Sequence, residues 1–175
     1  MICSDDRTAD EILSTNSNQR IITMQKELVI LDSDKEYARV RIEVLQKQIQ
    51  DLGPEFYEVF NQSSETWHDN APFDALRDRQ SVLDAELQQL RSILRNSALS
   101  VPLVQKGRVG IGSVVLLATG KRYKIAGDWT PHAGQMIEDD LVLSRQAPLA
   151  VQFIDKRVGD AVTVGKIKTT IKDIL

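Results

Sequence analysis

The sequence is short of the residue types from which disulfide-bonded and zinc-binding proteins are built. Its 175 residues include one cysteine, Cys3, and two histidines, His68 and His132, which stand far apart in the chain. A single cysteine cannot form an internal disulfide, and the chain lacks the CxxC and HExxH spacings typical of zinc sites. We therefore expect no disulfide framework and no metal bound by the free protein.

The sequence also shows neither a long apolar run nor the pattern of a signal peptide. No stretch approaches the roughly 20 apolar residues of a membrane span, and the start of the chain is acidic instead of basic. Composition is ordinary, with 42% hydrophobic residues, 27% charged residues and a net charge of −3. These features predict a soluble, cytoplasmic protein without the basic surface of an independent nucleic-acid binder.

Heptad periodicity dominates the first half of the chain. Two runs alternate apolar residues at spacings of three and four, and each contains one polar position, Lys35 or Gln80. The first run is Ile21, Met24, Leu28, Leu31, Lys35, Ala38, Ile42, Leu45, Ile49 and Leu52, and the second is Phe73, Leu76, Gln80, Leu83, Leu87, Leu90 and Leu94. Because both stripes are narrow and flanked by charges, each helix needs a partner. We predict one antiparallel coiled-coil hairpin, with a parallel dimer of two chains as the alternative.

A proline and a short polar segment divide the two arms of the hairpin. The dipeptide Gly53-Pro54 predicts the end of the first helix, because proline lacks an amide donor and disfavours helical geometry in the residue before it. A helix over residues 19–52 would be roughly 50 Å long. The tip is predicted near residues 61–71, where Asp69 or Asn70 can cap the second helix.

The pattern changes to β-strands after residue 109. Strands are predicted at residues 111–117, 122–125, 137–144, 161–164 and 166–174, with a short helix from residue 147 to about residue 153. The segment 127–135, which contains Trp129 and His132, is interpreted as a surface loop and not as a pocket. The fold class is therefore α+β. Its divisions are a flexible segment at residues 1–18, the hairpin at 19–96, a linker at 97–108 and a β domain at 109–175.

Three stretches carry a family resemblance. Residues 144–162 read SRQAPLAVQFIDKRVGDAV and are similar to the pattern SPLA…LLGKKVGDxV, with Asp155 in place of the usual glycine. Residues 69–73, DNAPF, are similar to ENAEY, and residues 109–115, VGIGSVV, are similar to the opening strand of the same family's β domain. The arrangement resembles the bacterial Gre transcript-cleavage factors, whose C-terminal domain is FKBP-like.

The resemblance implies an accessory factor that acts on RNA polymerase. The β domain would dock outside the secondary channel of the polymerase, and the coiled coil would enter that channel. Tip carboxylates, here Asp69 and Glu65, would assist the Mg²⁺ of the polymerase in cleaving backtracked RNA. The other tip residues are implied to support this arrangement, namely Asn70, Thr66 and His68. No cofactor of its own is expected, apart from the Mg²⁺ shared with the polymerase.

The resemblance also assigns contacts away from the tip. Arg77, together with Arg79, is implied to lie near the 3′ end of the nascent RNA, with an ordinary solvated helix face as the alternative. The chain is expected to act as a monomer. The region implied to dock on the polymerase comprises Pro148, Leu149, Lys156, Gly159 and Asp160.

Departures from the family at the tip leave the activity open. Where the family has GDLSEN this chain has ETWHDN, so Thr66 replaces the first acidic residue and Asp69 keeps the second on a shorter side chain. Glu65 could substitute for the lost carboxylate, although acidic residues at a helix start also serve as simple caps. The stretch from Leu31 to Asp69 is longer than usual by roughly two heptads.

Three hypotheses follow from these features. The first is a factor that stimulates transcript cleavage. The second is a relative that occupies the channel and inhibits the polymerase without cleavage, which Thr66 makes credible. The third is a stand-alone prolyl isomerase or chaperone, ranked last because the β domain offers few aromatic residues, Tyr123, Trp129 and Phe153.

Overall fold

The computed structural model describes residues 27–62, 71–103 and 105–175, and it shows a helical rod followed by a β domain. The rod consists of α1 (Asp32–Gln62) and α2 (Ala71–Arg95). The β domain contains β1 (Val114–Leu117), β2 (Arg122–Ile125), β3 (Met136–Ile137), β4 (Asp140–Leu143), α3 (Pro148–Phe153), β5 (Ala161–Val164) and β6 (Ile167–Ile174). The predicted α+β class is confirmed.

The two long helices pack against each other along the predicted seam. Ala38 and Leu45 of α1 are buried against Leu87 and Leu90 of α2. Arg41 spans the two helices, with its Nε and NH2 groups donating to the two carboxylate oxygens of Glu86 at 2.7 and 2.8 Å. These hydrogen bonds lower the pKa of Glu86. Antiparallel pairing within one chain, predicted from the heptads, is therefore confirmed.

The first helix begins later than the periodicity predicted. Residues 27–31, named the strap below, precede α1 and are not helical, so Leu28 and Leu31 are not positions of the helical seam. Four consecutive apolar residues, Leu28 to Leu31, are more typical of an extended segment buried on both sides than of a one-faced helix. The predicted helix start at residue 19 lies outside the described residues.

The predicted stop at Gly53-Pro54 is wrong, because α1 continues through Pro54 to Gln62. Proline in a helix interior removes one backbone hydrogen bond and crowds the carbonyl four residues earlier, at a cost of about 3 kcal/mol. Packing of the residues before and after Pro54 offsets that cost. Leu52 is fully buried, and Phe56 contacts Phe73 of α2 with 5.5 Å between ring centroids. At a rise of 1.5 Å per residue, α1 is about 46 Å long.

The β domain is one six-stranded mixed sheet with the order β3-β4-β2-β1-β6-β5. β2 and β4 are parallel, and the other neighbouring strands are antiparallel. One face of the sheet packs against α3, whose Ala150 and Phe153 are fully buried. The remaining buried core of the domain comprises Val109, Val115, Leu117, Tyr123, Ile125, Leu143, Val162 and Ile171.

Two strand predictions need correction. The strand predicted at residues 137–144 is a tight hairpin of β3 and β4, in which Glu138 has a positive φ of 54°. The strand predicted from residue 111 begins at Val114, because Gly112 has a φ of 92° and forms a turn with its neighbours. The predicted strands at residues 122–125 and 161–164 match β2 and β5.

Candidate functional site

The far end of the rod is where α1 ends and α2 begins. The base of the rod is at the opposite end, where Leu28 pairs with Ser97 immediately after α2. The connection between the helices, residues 63–70, lies outside the described residues. The predicted site residues Glu65, Thr66, His68, Asp69 and Asn70 all fall in that connection, so their roles stay predictions.

The described residues nearest the tip carry an exposed aromatic surface. Tyr57 is 70% exposed and Phe60 is 69% exposed, while Phe56 packs edge-to-face on Phe73 across the two helices. Phe56 therefore packs across the hairpin, whereas the rings of Tyr57 and Phe60 remain largely exposed to solvent.

Both predicted RNA-proximal arginines lie on the rod and form ion pairs. Arg77 is 3.1 Å from Asp74 on the same helix, and Arg79 is 3.3 Å from Glu55 on α1. The four side chains are 45 to 66% exposed, and pairs open to solvent contribute little to stability, at most about 1 kcal/mol. Either guanidinium can therefore exchange its carboxylate for a phosphate at small cost, although contact with RNA stays a prediction.

The residues of the predicted docking region occupy α3 and the turn before β5. Pro148 is the first residue of α3, and Lys156 is exposed. Gly159 has a φ of 92°, and the carboxylate of Asp160 accepts a hydrogen bond of 2.8 Å from the Arg157 amide. These last two positions have a clear local role in the turn, and their contact with a polymerase stays a prediction.

The strap joins the rod to the β domain, a connection that the sequence pattern did not predict. Leu28 donates its amide to the Asn96 carbonyl and accepts from the Ala98 amide, both at 2.8 Å. Val29 pairs in the same way with Asp128 of the β domain, accepting from its amide at 2.6 Å and donating to its carboxylate at 2.8 Å. Ile30 is only 1% exposed. The strap is therefore bonded to the end of α2 on one side and to the β domain on the other.

The strap and the loop at residues 127–135 together form the contact between the rod and the β domain, named the joint below. The interpretation of this loop as a simple surface loop is therefore wrong. Thr130 is buried, and Trp129 packs against the helical core of the rod. The ring of His132 contacts the ring of Tyr37 edge-on, with 5.6 Å between centroids. The reason for the error is physical: turn-forming residues such as Pro131 determine the local backbone path, but they do not indicate what packs on it.

Two charged residues of α1, Lys35 and Asp34, are buried in the same joint. The Lys35 ammonium donates to the Ala98 carbonyl at 2.8 Å and lies 3.3 Å from Asp32, which explains the one polar position in the first heptad run. Burial raises the pKa of Asp34, against the smaller opposite effects of a hydrogen bond from Thr130 and the charges of His132 and Lys124. The joint is thus tightly packed and partly polar.

The described residues contain neither a metal-binding cluster nor a membrane-spanning helix. No group of three or more His, Cys, Asp or Glu side chains that could hold a metal ion occurs among residues 27–62, 71–103 and 105–175. Nor does that part of the chain contain a helix that is long and apolar enough to cross a bilayer. Tyr123 and Phe153 are buried in the β core, which leaves few aromatic side chains for an isomerase pocket.

The described architecture is thus a helical rod on a β domain. No family model matches the chain. It is 32% identical over 101 residues to the transcription elongation factor GreA of Mycoplasmopsis pulmonis, covering 55% of this chain and 60% of that protein. It is 26% identical over 166 residues to GreA of Mycoplasma capricolum, covering 86% and 99%. The predicted resemblance to the Gre transcription elongation factors is confirmed.

Solved structures include a similar chain, the GreA factor homolog Gfh1 of Thermus thermophilus. It is 20% identical, with a TM-score of 0.39, and the match covers 85% of this chain and 99% of that one.

Proposed function

We propose that this protein is a Gre-type transcription elongation factor that acts on RNA polymerase through the far end of its rod. The observation that carries the proposal is the continuous hairpin: α1 passes through Gly53-Pro54 and reaches about 46 Å. A rod of that length with an acidic connecting sequence suits a narrow channel in a large partner. The relatives named GreA support the same assignment.

In the proposed mechanism the β domain docks at the channel entrance and the rod extends inward. Asp69 and Glu65 then present carboxylate oxygens near the Mg²⁺ held by the polymerase. Magnesium favours hard oxygen ligands and keeps several bound waters, so one or two added carboxylates can help to position a water for RNA hydrolysis. The protein is proposed to be an accessory factor, and the cleavage activity belongs to the polymerase.

Arg77 and Arg79 are proposed to attract the RNA backbone inside the channel. Their present partners, Asp74 and Glu55, hold them only through exposed ion pairs. Phosphate contacts of this kind add affinity without reading the base sequence. RNA binding is therefore proposed to depend on the polymerase.

The test is a cleavage assay on backtracked polymerase complexes. Addition of the protein should shorten the RNA in a Mg²⁺-dependent manner, and Asp69→Ala should lower the cleavage rate by roughly tenfold or more, as expected for loss of a group that orients the reacting water. Glu65→Ala and the double variant are compared with Glu43→Ala, which removes an exposed carboxylate from α1 well before its tip end. Wild-type cleavage by the Asp69, Glu65 and double variants would show that the tip assignment is wrong.

Thr66 favours a second candidate, a factor that occupies the channel without stimulating cleavage. A threonine cannot supply the carboxylate that the family pattern has at this position. In the same assay this function predicts slower nucleotide addition and no RNA shortening. Thr66→Asp should then confer measurable cleavage, and Thr66→Val, which has a similar volume and no charge, should not.

A further inference from the structure

We propose that the strap, Gly127 and Asp128 form a clasp that fixes the direction in which the rod leaves the β domain. In this proposal Gly127 and Asp128 are positioning residues for the far end of the rod, some tens of ångströms away. The importance of that direction rests on the proposed function, but the clasp itself is tested without a polymerase.

Gly127 lies directly against the strap. A Cβ atom at this position would lie 2.2 Å from the Val29 carbonyl oxygen and 2.9 Å from Cα of Ile30. Gly127 lacks the positive φ of glycines such as Gly112, so its backbone would accept a side chain. Glycine is therefore required at this position because the strap lies so close, and not because of its backbone angles.

Asp128 ties the strap to the β domain from the next position. Its buried carboxylate accepts from the Val29 amide at 2.8 Å through one oxygen. The other oxygen is 2.8 Å from the Arg145 guanidinium and 3.3 Å from the Gln146 amide group, both in the β domain. One side chain thus bridges the strap and the base of the molecule.

The strap transmits this constraint to both helices. It runs directly into α1 at Asp32, and Leu28 is hydrogen-bonded to the segment that follows α2. Rotation of the rod against the β domain would break the bonds at Leu28, those at Val29, or both. The rod and the β domain therefore share one orientation as long as the clasp is closed.

The length of the rod makes a small rotation consequential. A tilt of about 10° at the base would displace the end of a rod about 46 Å long by about 8 Å. Groups that act on a reacting centre must be placed within about 0.5 Å. An unclasped rod would therefore spread its tip over a region much wider than the site it has to reach.

The test measures the distance between spin labels on the rod and on the β domain in the full chain. Labels are attached at Asp78→Cys on α2 and Lys168→Cys on β6, both exposed, in a Cys3→Ser background. Asp78 lies about 26 Å along the axis from the end of α2, so a 10° tilt moves its label by about 4 to 5 Å. The otherwise unmodified protein should give one narrow distance distribution.

Gly127→Ala and Asp128→Ala are expected to shift or broaden that distribution by several ångströms. Gly53→Ala is the matched control for the first variant, because a Cβ at Gly53 meets nothing within 4 Å. Asp139→Ala is the control for the second, since it removes an exposed carboxylate of the β domain away from the strap. Both controls should keep the narrow distribution.

Val29→Pro provides a variant that leaves the residues of the β domain unaltered, since it removes the strap amide that donates to Asp128 and fixes the strap backbone at that residue. This variant should also broaden the distribution, and it tests the proposal even if Gly127→Ala does not fold. An unchanged distribution in the folded clasp variants would overturn the proposal. Equal broadening in Asp139→Ala would attribute the effect to the β domain in general and would overturn the role given to Asp128. None of these outcomes depends on whether the protein acts on a polymerase.

Discussion

Lys35 shows how a charged residue can occupy a position of the apolar seam. Its stem is buried at the base of the rod, and its ammonium group reaches the carbonyl oxygens of Ala98 and Leu99 at 2.8 and 3.4 Å. A leucine at this position would leave these two carbonyl groups without that donor, and lysine supplies it with little loss of packing. The interruption of the heptad pattern therefore marks the point where the rod meets the linker.

Asp34 leads to a prediction about the pH dependence of stability. Burial raises the pKa of its carboxyl group above the ordinary value of 3.8, so the folded state retains a proton that the unfolded chain has already lost. The stability associated with Asp34 is fully present below pH 3.8 and is lost as the pH rises through the raised value. We expect Asp34→Asn to become progressively more stable than the unsubstituted protein over that rise.

Urea unfolding at several pH values between about 3 and 7 measures this difference in the free energy of unfolding. Asp51→Asn, which changes an exposed carboxylate on the same helix, is the matched control. A gap between Asp34→Asn and the unsubstituted protein that stays constant over the range would contradict the prediction.

Individual residues of the joint could not be predicted from the sequence. Gly127 and Asp128 form an ordinary turn-like dipeptide, and their partner Val29 is 99 residues away from Asp128. Neither periodicity nor turn chemistry contains information about such a pair. The one sequence feature that could have indicated it is the run of four apolar residues at 28–31, which a one-faced helix has no means to bury.

The long helices were predicted in type and pairing, and the limits of α2 were predicted closely, but those of α1 were not. The seam from Ala38 to Ile49 could be predicted because each residue there obeys the spacing and packs in one cluster with leucines of α2. The end of α1 was predicted wrongly at Pro54. The rule that proline ends a helix considers only the local backbone, whereas packing of the residues on both sides of Pro54 keeps the helix intact. The observed strand limits differ from the predicted ones at Gly112 and Glu138. Both residues have positive φ values and lie in turns, which the pattern of apolar residues does not indicate.

Pro54 gives a prediction at the level of the helix. Pro54→Ala should raise the free energy of unfolding by about 2 kcal/mol, because the helix regains a hydrogen bond and loses a steric clash, less a small entropic gain of the unfolded chain. Pro148→Ala is the matched control, since Pro148 is the first residue of α3 and needs no amide donor there. Urea unfolding of the two variants provides the measurement, and equal effects would show that Pro54 places no strain on α1.

The whole molecule is a rod fastened to a base, and this arrangement could be predicted only in part. The change from heptads to short strands near residue 109 indicated the two parts, and the β-domain residues 144–162 carried the family resemblance. The strap and the loop at 127–135 determine how the parts are joined, which depends on contacts between distant residues. The tip, residues 63–70, lies outside the described residues, so its predicted chemistry awaits the cleavage assay.

Burial of the seam within one chain predicts a monomer in solution. The leucines that would drive dimerisation already face each other across α1 and α2. Residues 27–103 carry fourteen acidic against eight basic side chains, so two rods side by side would repel each other. Sedimentation equilibrium at low salt should give the monomer mass over about a hundredfold range of concentration. A mass that doubles with concentration would favour the alternative of a parallel coiled coil.

The bond between Val29 and Asp128 also has a consequence for biosynthesis. The strap emerges from the ribosome before its β-domain partner, which is made 99 residues later. At a translation rate of about 5 to 20 residues per second, Leu28 to Leu31 wait about 5 to 20 s before they can be covered. During that interval they form a short exposed apolar sequence, so the joint closes only after the first residues of the β domain have been made.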